Sequence, residues 1–240
     1  MDRFHCPVLT NRFRWASRVG AVVAQTVAGL VMLGWVLNEE TLKTVFPGMV
    51  AMNPGGTAMA FLLGGVGLLA LQDSASPRSK IVGRTLAAAV TLLSVLRLAG
   101  YVIGWDKGPD RWIFREQLEL YEMPNRMAPN TAACFLLCGV ALLLLDVKWG
   151  KAVRPSEHIS LWAALISGLT IVGYSYSAIS LIQIESYIPM ALNTAVAFAF
   201  LSLGILFARP TGGIVSLLTS KGSGGILARH LLPAAVLIPM

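Results

Sequence analysis

Seven apolar runs, separated by short polar connections, follow one another along the chain: Val19–Leu37, Met49–Leu71, Ile81–Gly104, Met127–Leu145, Ile159–Ile182, Ile188–Ala208 and Leu227–Met240. A helix rises about 1.5 Å per residue, so about 20 apolar residues cross a hydrocarbon core about 30 Å thick. The first six runs have that length. The seventh reaches only about 21 Å, which predicts a last helix that is truncated, re-entrant or packed inside a partner. The pattern predicts an all-α integral membrane protein of about seven transmembrane helices. Residues 1–18 form a cytoplasmic N-terminal segment and residues 19–240 a single membrane domain.

The even-numbered runs open alike, with Asn53-Pro54-Gly55-Gly56-Thr57, Met127-Ala128-Pro129-Asn130-Thr131 and Met190-Ala191-Leu192-Asn193-Thr194. Thr57, Phe61 and Gly65 stand at i, i+4 and i+8, as do Thr131, Phe135 and Gly139, and Thr194, Phe198 and Ser202. Residues at that spacing share a helix face, and small residues let helices approach closely in lipid. We therefore expect three sequence-duplicated helical hairpins plus a final helix, with Phe61, Phe135 and Phe198 equivalent in the interior. Asn and Thr ahead of an apolar run also cap the free N–H groups of a helix start. The repeated opening reads chiefly as a start-and-pack signal, and Asn130 and Asn193 are candidates to line a polar pocket as well.

Charge then orients the runs. Arg3, Arg12, Arg14, Arg18, Arg78, Lys80, Arg84, Lys148, Lys151, Arg154, Arg209, Lys221 and Arg229 fall on one side, and only Lys43, Lys107, Arg111, Arg115 and Arg126 on the other. Basic loops stay in the cytoplasm, so the N-terminus is cytoplasmic, in a bacterial inner membrane. Only 13% of residues are charged and the mean hydropathy is +0.68, against roughly 25% charged in a soluble domain. The net charge of +7 is an orientation signal, and no nucleic-acid partner is implied. Val19–Leu37 lacks a small-residue cleavage site and reads as an uncleaved first span.

The candidate chemistry is sparse. Cys134 and Cys138, one turn apart, read as small packing residues, and Cys6 as a thiol near the membrane face that is open to acylation. His5, His158 and His230 lie at cytoplasmic ends and do not pair across the bilayer, so no haem, metal or other cofactor is evident. The glycines around Lys221 do not form a phosphate loop. Arg97 is the exception, being a charge inside the third run. Intramembrane charges pair or mark function. Arg97 is expected either to anchor a pocket with Asn130, Asn193, Tyr174 and Tyr176 for an anionic or carbonyl-bearing ligand, or to reach up to lipid phosphate, Glu122 or Asp106. Tyr101 lies at the same depth. The long loop Trp105–Arg126, mixing acids, bases and aromatics, is expected to lie as an interfacial helix above it.

Three segments carry a resemblance. They are W-x-L-N with L-K-x-x-x-P-G-M-V-x-M-N-P-x-x-T around Leu37–Thr57, M-A-P-N-T-A-x-x-F-L-L-x-G-x-A-L-L-L-L-D at Met127–Asp146, and M-x-L-N-T-A-x-A-F-x-x-L-x-L-G-I-L-x-A-R-P at Met190–Pro210. In this order, with Gly224–Ala235 behind them, they resemble the N-terminal multi-span membrane module of bacterial sensor histidine kinases and diguanylate cyclases. The resemblance implies a sensory input module. In that family PAS, kinase or cyclase domains follow, whereas this sequence carries neither an H-E-x-x-N-like nor a G-G-D-E-F signature and is not expected to be an enzyme. The alternative is an accessory subunit of a larger membrane complex, such as a photosynthetic or respiratory assembly. The expected partners are lipids and other membrane subunits or a second copy.

Overall fold

Proline starts most of the helices, because its fixed φ suits a first turn whose N–H would go unused. The computed structural model describes residues 6–46, 49–105, 108–119, 125–149, 153–176, 189–220 and 225. Helix α1 spans Pro7–Leu37, and α2 is the single turn Glu40–Thr44. A π-helical turn over Pro54–Ala58 runs directly into α3, Met59–Ala70. Helix α4 spans Pro77–Ile103, and a 3-10 turn at Pro109–Arg111 and the short α5, Arg115–Glu119, follow in the long loop. Then come α6, Pro129–Leu143, α7, Pro155–Ser175, α8, Leu192–Leu206, and the single turn α9, Val215–Thr219. Left-handed Asn38 and Gly104 stop α1 and α4 by returning a backbone N–H to Gly34 and Gly100, as C-terminal caps of this kind do. Apart from one antiparallel bridge, Trp149 with Val153, the described residues are helical or irregular.

Three helices are long and apolar enough to cross a membrane: Pro7–Leu37, Pro77–Ile103 and Pro155–Ser175. Pro54–Ala70, Pro129–Leu143 and Leu192–Leu206 are apolar but shorter. Of the about seven spans expected, three are thus long and apolar enough to cross among the described residues. The long helices outrun their apolar stretches, since α1 begins at Pro7 rather than Val19 and carries Arg12, Arg14 and Arg18 on its polar first turns. The short ones begin inside theirs, at a proline or, in α8, at Leu192. The seventh run, 227–240, lies outside the described residues, as do 177–182 of the fifth.

The six principal helices pack in a closed circuit, α1 on α3, α3 on α4, α4 on α6, α6 on α7, α7 on α8 and α8 back on α1. The shorter α3, α6 and α8 also touch one another and so form an inner triad, with the long helices outside. Phe61, Phe135 and Phe198 close the middle of that triad. Each is fully buried, and their ring centroids stand 4.6, 4.6 and 4.5 Å apart, an almost equilateral cluster at tilted angles. Edge-tilted rings at this spacing attract beyond their buried area.

Small residues set the distances between inner and outer helices. A Cβ on Gly20 of α1 would fall on the Phe200 carbonyl of α8, and one on Gly83 of α4 would stand 2.6 Å from Leu71. The i, i+4, i+8 stripe turns gradually across the inner face of each helix. The rings at i+4 meet at the axis. Gly65 and Gly139 at i+8 have turned outward, to Gln25 of α1 and to Thr91 and the Ala87 carbonyl of α4. Eight residues at 100° each advance the position by about 80° past whole turns, enough to exchange an axial neighbour for an outer one. Ser202 is buried and bonds the Phe198 carbonyl of its own helix at 2.6 Å.

Candidate functional site

The ends of the long helices and the starts of the inner ones meet at what we term the upper end. Here each long helix sends one aromatic donor to one inner-helix entry. Trp35 Nε1 donates to the Met52 carbonyl at 3.0 Å, the Tyr101 hydroxyl to Met127 at 2.6 Å, and the Tyr174 hydroxyl to Met190 at 2.9 Å. Met127 and Met190 precede Thr131 and Thr194 by four residues, but Met52 precedes Thr57 by five. The π turn at Pro54–Ala58 absorbs that extra residue and returns α3 to register.

Arg97 is turned into the bundle, 2% exposed. Its Nε lies 3.5 Å from an Asp110 carboxylate oxygen, Oδ2, and 3.4 Å from the Met127 carbonyl, and its guanidinium sits 4.3 Å from the Tyr101 ring centre. Asp110, 1% exposed, accepts the Met127 N–H at 2.9 Å through the same oxygen. The 3-10 turn carrying it presses on Gly55 and Gly56, where a Cβ would stand 2.8 Å from the Asp110 carbonyl oxygen and 2.6 Å from its Cβ. A buried charge needs a partner and further hydrogen bonds, and the loop supplies the partner. Arg97 Nη2 and Asp110 Oδ1 remain buried without a hydrogen-bond partner.

Arg97 is therefore not surrounded by the four residues expected around it. Asn130 caps locally, its Oδ1 accepting the Thr131 N–H at 2.9 Å. Asn193 does the same for Thr194, and its Nδ2 donates to the Lys43 carbonyl at 2.9 Å. Tyr174 serves its own hairpin, and Tyr176 is 66% exposed. Lys43, missed by sequence reading, is 1% exposed, bonding Asn38 Oδ1 at 2.9 Å and Glu40 at 2.8 Å beside the Trp35 ring. Glu122 and Asp106 lie outside the described residues. The loop is not one interfacial helix among the described residues. It is broken at Phe114, whose φ is +57°, and Asp110 dips into the bundle while Trp112 stays 74% exposed. A surface cavity of about 430 Å³ beside it is lined by Gly108, Arg111, Trp112, Arg115 and Glu119.

At the lower end a single guanidinium joins all three inner helices. Arg209, just past α8, bonds the Leu71 carbonyl at 2.8 Å, Asp146 at 2.8 and 3.0 Å, and Asp73 at 3.0 Å. Arg14 and Arg84 reach the same aspartates from α1 and α4. Burial alone would raise the Asp146 carboxyl, but its bonds to Arg209 and the charges of Arg209, Lys80 and Arg84 outweigh that and hold it below the ordinary carboxylate range. Cys134 and Cys138 are buried and Cys6 is partly exposed; all three are free thiols, and no group of three metal ligands occurs among the described residues.

Comparison with protein families, curated proteins and solved structures gives no match.

Proposed function

We propose that the chain is a membrane-integral sensory input module of the bacterial inner membrane, with the upper end outside and the Arg209 end in the cytoplasm. In this reading all six principal helices, three duplicated hairpins, sit in the bilayer, the long ones facing lipid and the inner triad shielded by them. The loop charges orient it. Exposed tryptophans at both ends, Trp112 above and Trp15, Trp149 and Trp162 below, suit two interfacial belts.

The observation that carries the proposal is the burial of Asp110 against Arg97 and the Met127 amide. A loop that faces the periplasm in this topology is thereby fixed to the start of α6, and α6 ends at the Arg209 cluster. A change in the loop has a continuous packed route across the membrane, which is what an input module requires. The chain itself receives or docks and leaves catalysis to another domain or protein.

Cysteine labelling tests it. A cysteine in the loop near Gly108, at the exposed Trp112, should label from the periplasm and one near Ser220 only from the cytoplasm. In folded protein, Asp110→Asn should change the labelling rate at Ser220. An unchanged rate removes the transmission reading, and a stoichiometric protein partner in native mass spectrometry would replace it with that of a complex subunit.

A further inference from the structure

The 3-10 turn Pro109–Arg111 serves two places at once. Asp110, its middle residue, is buried against Arg97 and the Met127 amide. Its neighbour Arg111 lines the surface cavity of about 430 Å³, together with Gly108, Trp112, Arg115 and Glu119. Both walls of that cavity are held from behind. The turn is anchored through Asp110. Helix α5 is anchored by Leu118, which is fully buried, and by Phe114 just ahead of it, whose ring centroid lies 6.1 Å from that of Trp35. A cleft of this volume admits a small organic molecule.

The cations of the cavity exceed what its own acid satisfies. The Arg111 side chain is 19% exposed, yet its one ionic partner among the described residues is Glu119 at 3.9 Å, beyond hydrogen-bond reach. Arg115 reaches the same carboxylate oxygen through Nε at 3.1 Å. Its two terminal nitrogens have no partner among the described residues. One carboxylate oxygen thus serves two guanidiniums, and each of those forks has the shape to receive a carboxylate of its own.

The charge balance decides which anion fits. Arg97, Arg111 and Arg115 stand against Asp110 and Glu119, which leaves one positive charge among these described residues. Gly108 brings the cavity onto the buried pair, since a Cβ there would stand 2.6 Å from Asp110 Oδ1 and 3.1 Å from Arg97 Nη1. That Oδ1 has no hydrogen-bond partner, and a bare acceptor so close repels a second negative charge. A monoanion is therefore favoured over a dianion. Trp112, 74% exposed, offers a broad apolar ring to the rest of the ligand. We infer that this cavity binds a small organic monocarboxylate, its carboxylate received by Arg111 and Arg115 and its apolar body laid against Trp112. The inference deepens the input reading, on which it rests only for the side of the membrane from which the ligand arrives. Bound there, the ligand acts on Arg111, while the adjacent Asp110 holds the entry of α6.

The test uses the full chain, purified in detergent and titrated with benzoate by calorimetry at low ionic strength. We expect saturable binding that weakens with added salt, and none of benzamide, which has the same shape without the charge. Arg111→Gln and Arg115→Gln should each weaken benzoate binding at least tenfold. Glu119→Gln, which releases both guanidiniums from their shared acid, should strengthen it severalfold, a gain that damage to the loop would not produce. Should the arginine variants fail to fold, Trp112→Ala, at a largely exposed side chain, should weaken binding severalfold. The inference is overturned by no saturation at millimolar benzoate, by equal binding of benzamide, by unchanged affinity in the arginine or tryptophan variants, or by weaker binding in Glu119→Gln. It is also overturned if inorganic phosphate, or phosphatidylglycerol in nanodiscs, occupies the cavity and benzoate does not. Cysteine labelling is read separately. Normal benzoate binding with Ser220 labelling unmoved by Asp110→Asn removes the input reading and keeps the site; the converse removes the site alone.

Discussion

Replacing Asp110 with alanine leaves Arg97 as an uncompensated charge in a site where it is 2% exposed. At the observed 3.5 Å, Coulomb attraction is roughly 5 kcal/mol at an effective dielectric of 20. The variant also loses the bond from the Met127 N–H, a contact to a charged acceptor of about 1.5–3 kcal/mol. Some of this returns when the guanidinium relaxes toward water or headgroups, so about 3–5 kcal/mol of destabilisation is expected, the usual cost of breaking a buried pair from one side. Arg97→Met should cost less than Asp110→Ala, because aspartate keeps the Met127 amide. Arg97→Met with Asp110→Leu should recover much of either loss, since an apolar replacement leaves no stranded charge. Reversible unfolding in mixed micelles gives the four stabilities needed for a double-mutant cycle. A loss below about 1 kcal/mol for Asp110→Ala, or full additivity in the cycle, would refute the claim that this pair ties the loop to α6.

Phe135→Ala opens the centre of the ring cluster and should cost about 3–5 kcal/mol, with Phe61→Ala and Phe198→Ala alike; a near-neutral result at any one would show that its ring is not axial in solution. Gly20→Ala puts a methyl group on the Phe200 carbonyl and should cost about 1–3 kcal/mol, seen in the same assay, while Gly29→Ala, with open space around it, should not. Because Asp146 is depressed in the folded state, its contribution is complete above its unfolded pKa of about 3.9 and disappears as pH falls through the lower folded value. The stability difference between the protein and Asp146→Asn should therefore be constant from neutral pH to about pH 5 and shrink below about pH 4; a difference that grows on acidification would contradict the Arg209 pairing.

The apolar runs revealed the helices and the direction of the chain through them, because burial in lipid and burial in protein both select the same side chains. They could not fix the helix ends. Arg12 and Arg14 continue α1 past its apolar stretch without interruption, whereas Met127 and Met190 belong to apolar stretches but lie before their helices, held by Tyr101 and Tyr174. The spacing Thr–Phe at i, i+4 placed Phe61, Phe135 and Phe198 correctly relative to one another, since one turn turns a side chain little. At i+8 the drift of the helix accumulates, and Gly65 and Gly139 face α1 and α4 rather than the axis. Arg97 was conspicuous as a charge in an apolar run, but its partner was not. Asp110 is one of five acids in the long loop, and only the 3-10 turn over the paired glycines singles it out.

The Arg209 clasp has a consequence for the order in which the bundle is made. Its first partner, the Leu71 carbonyl, precedes it by 138 residues. At about 5–20 residues per second a ribosome needs roughly 7–28 s to cover that distance. Asp146 precedes Arg209 by 63 residues, so for roughly the last 3–13 s of that interval the exits of α3 and α6 stand together with no common cation between Asp73 and Asp146. The same late segment brings α8, whose glycine seats against α1 to close the circuit. Assembly is therefore gated by the last inner helix to emerge, and a nascent chain stalled before it holds α1, α3, α4, α6 and α7 with an open flank where α8 would close the circuit.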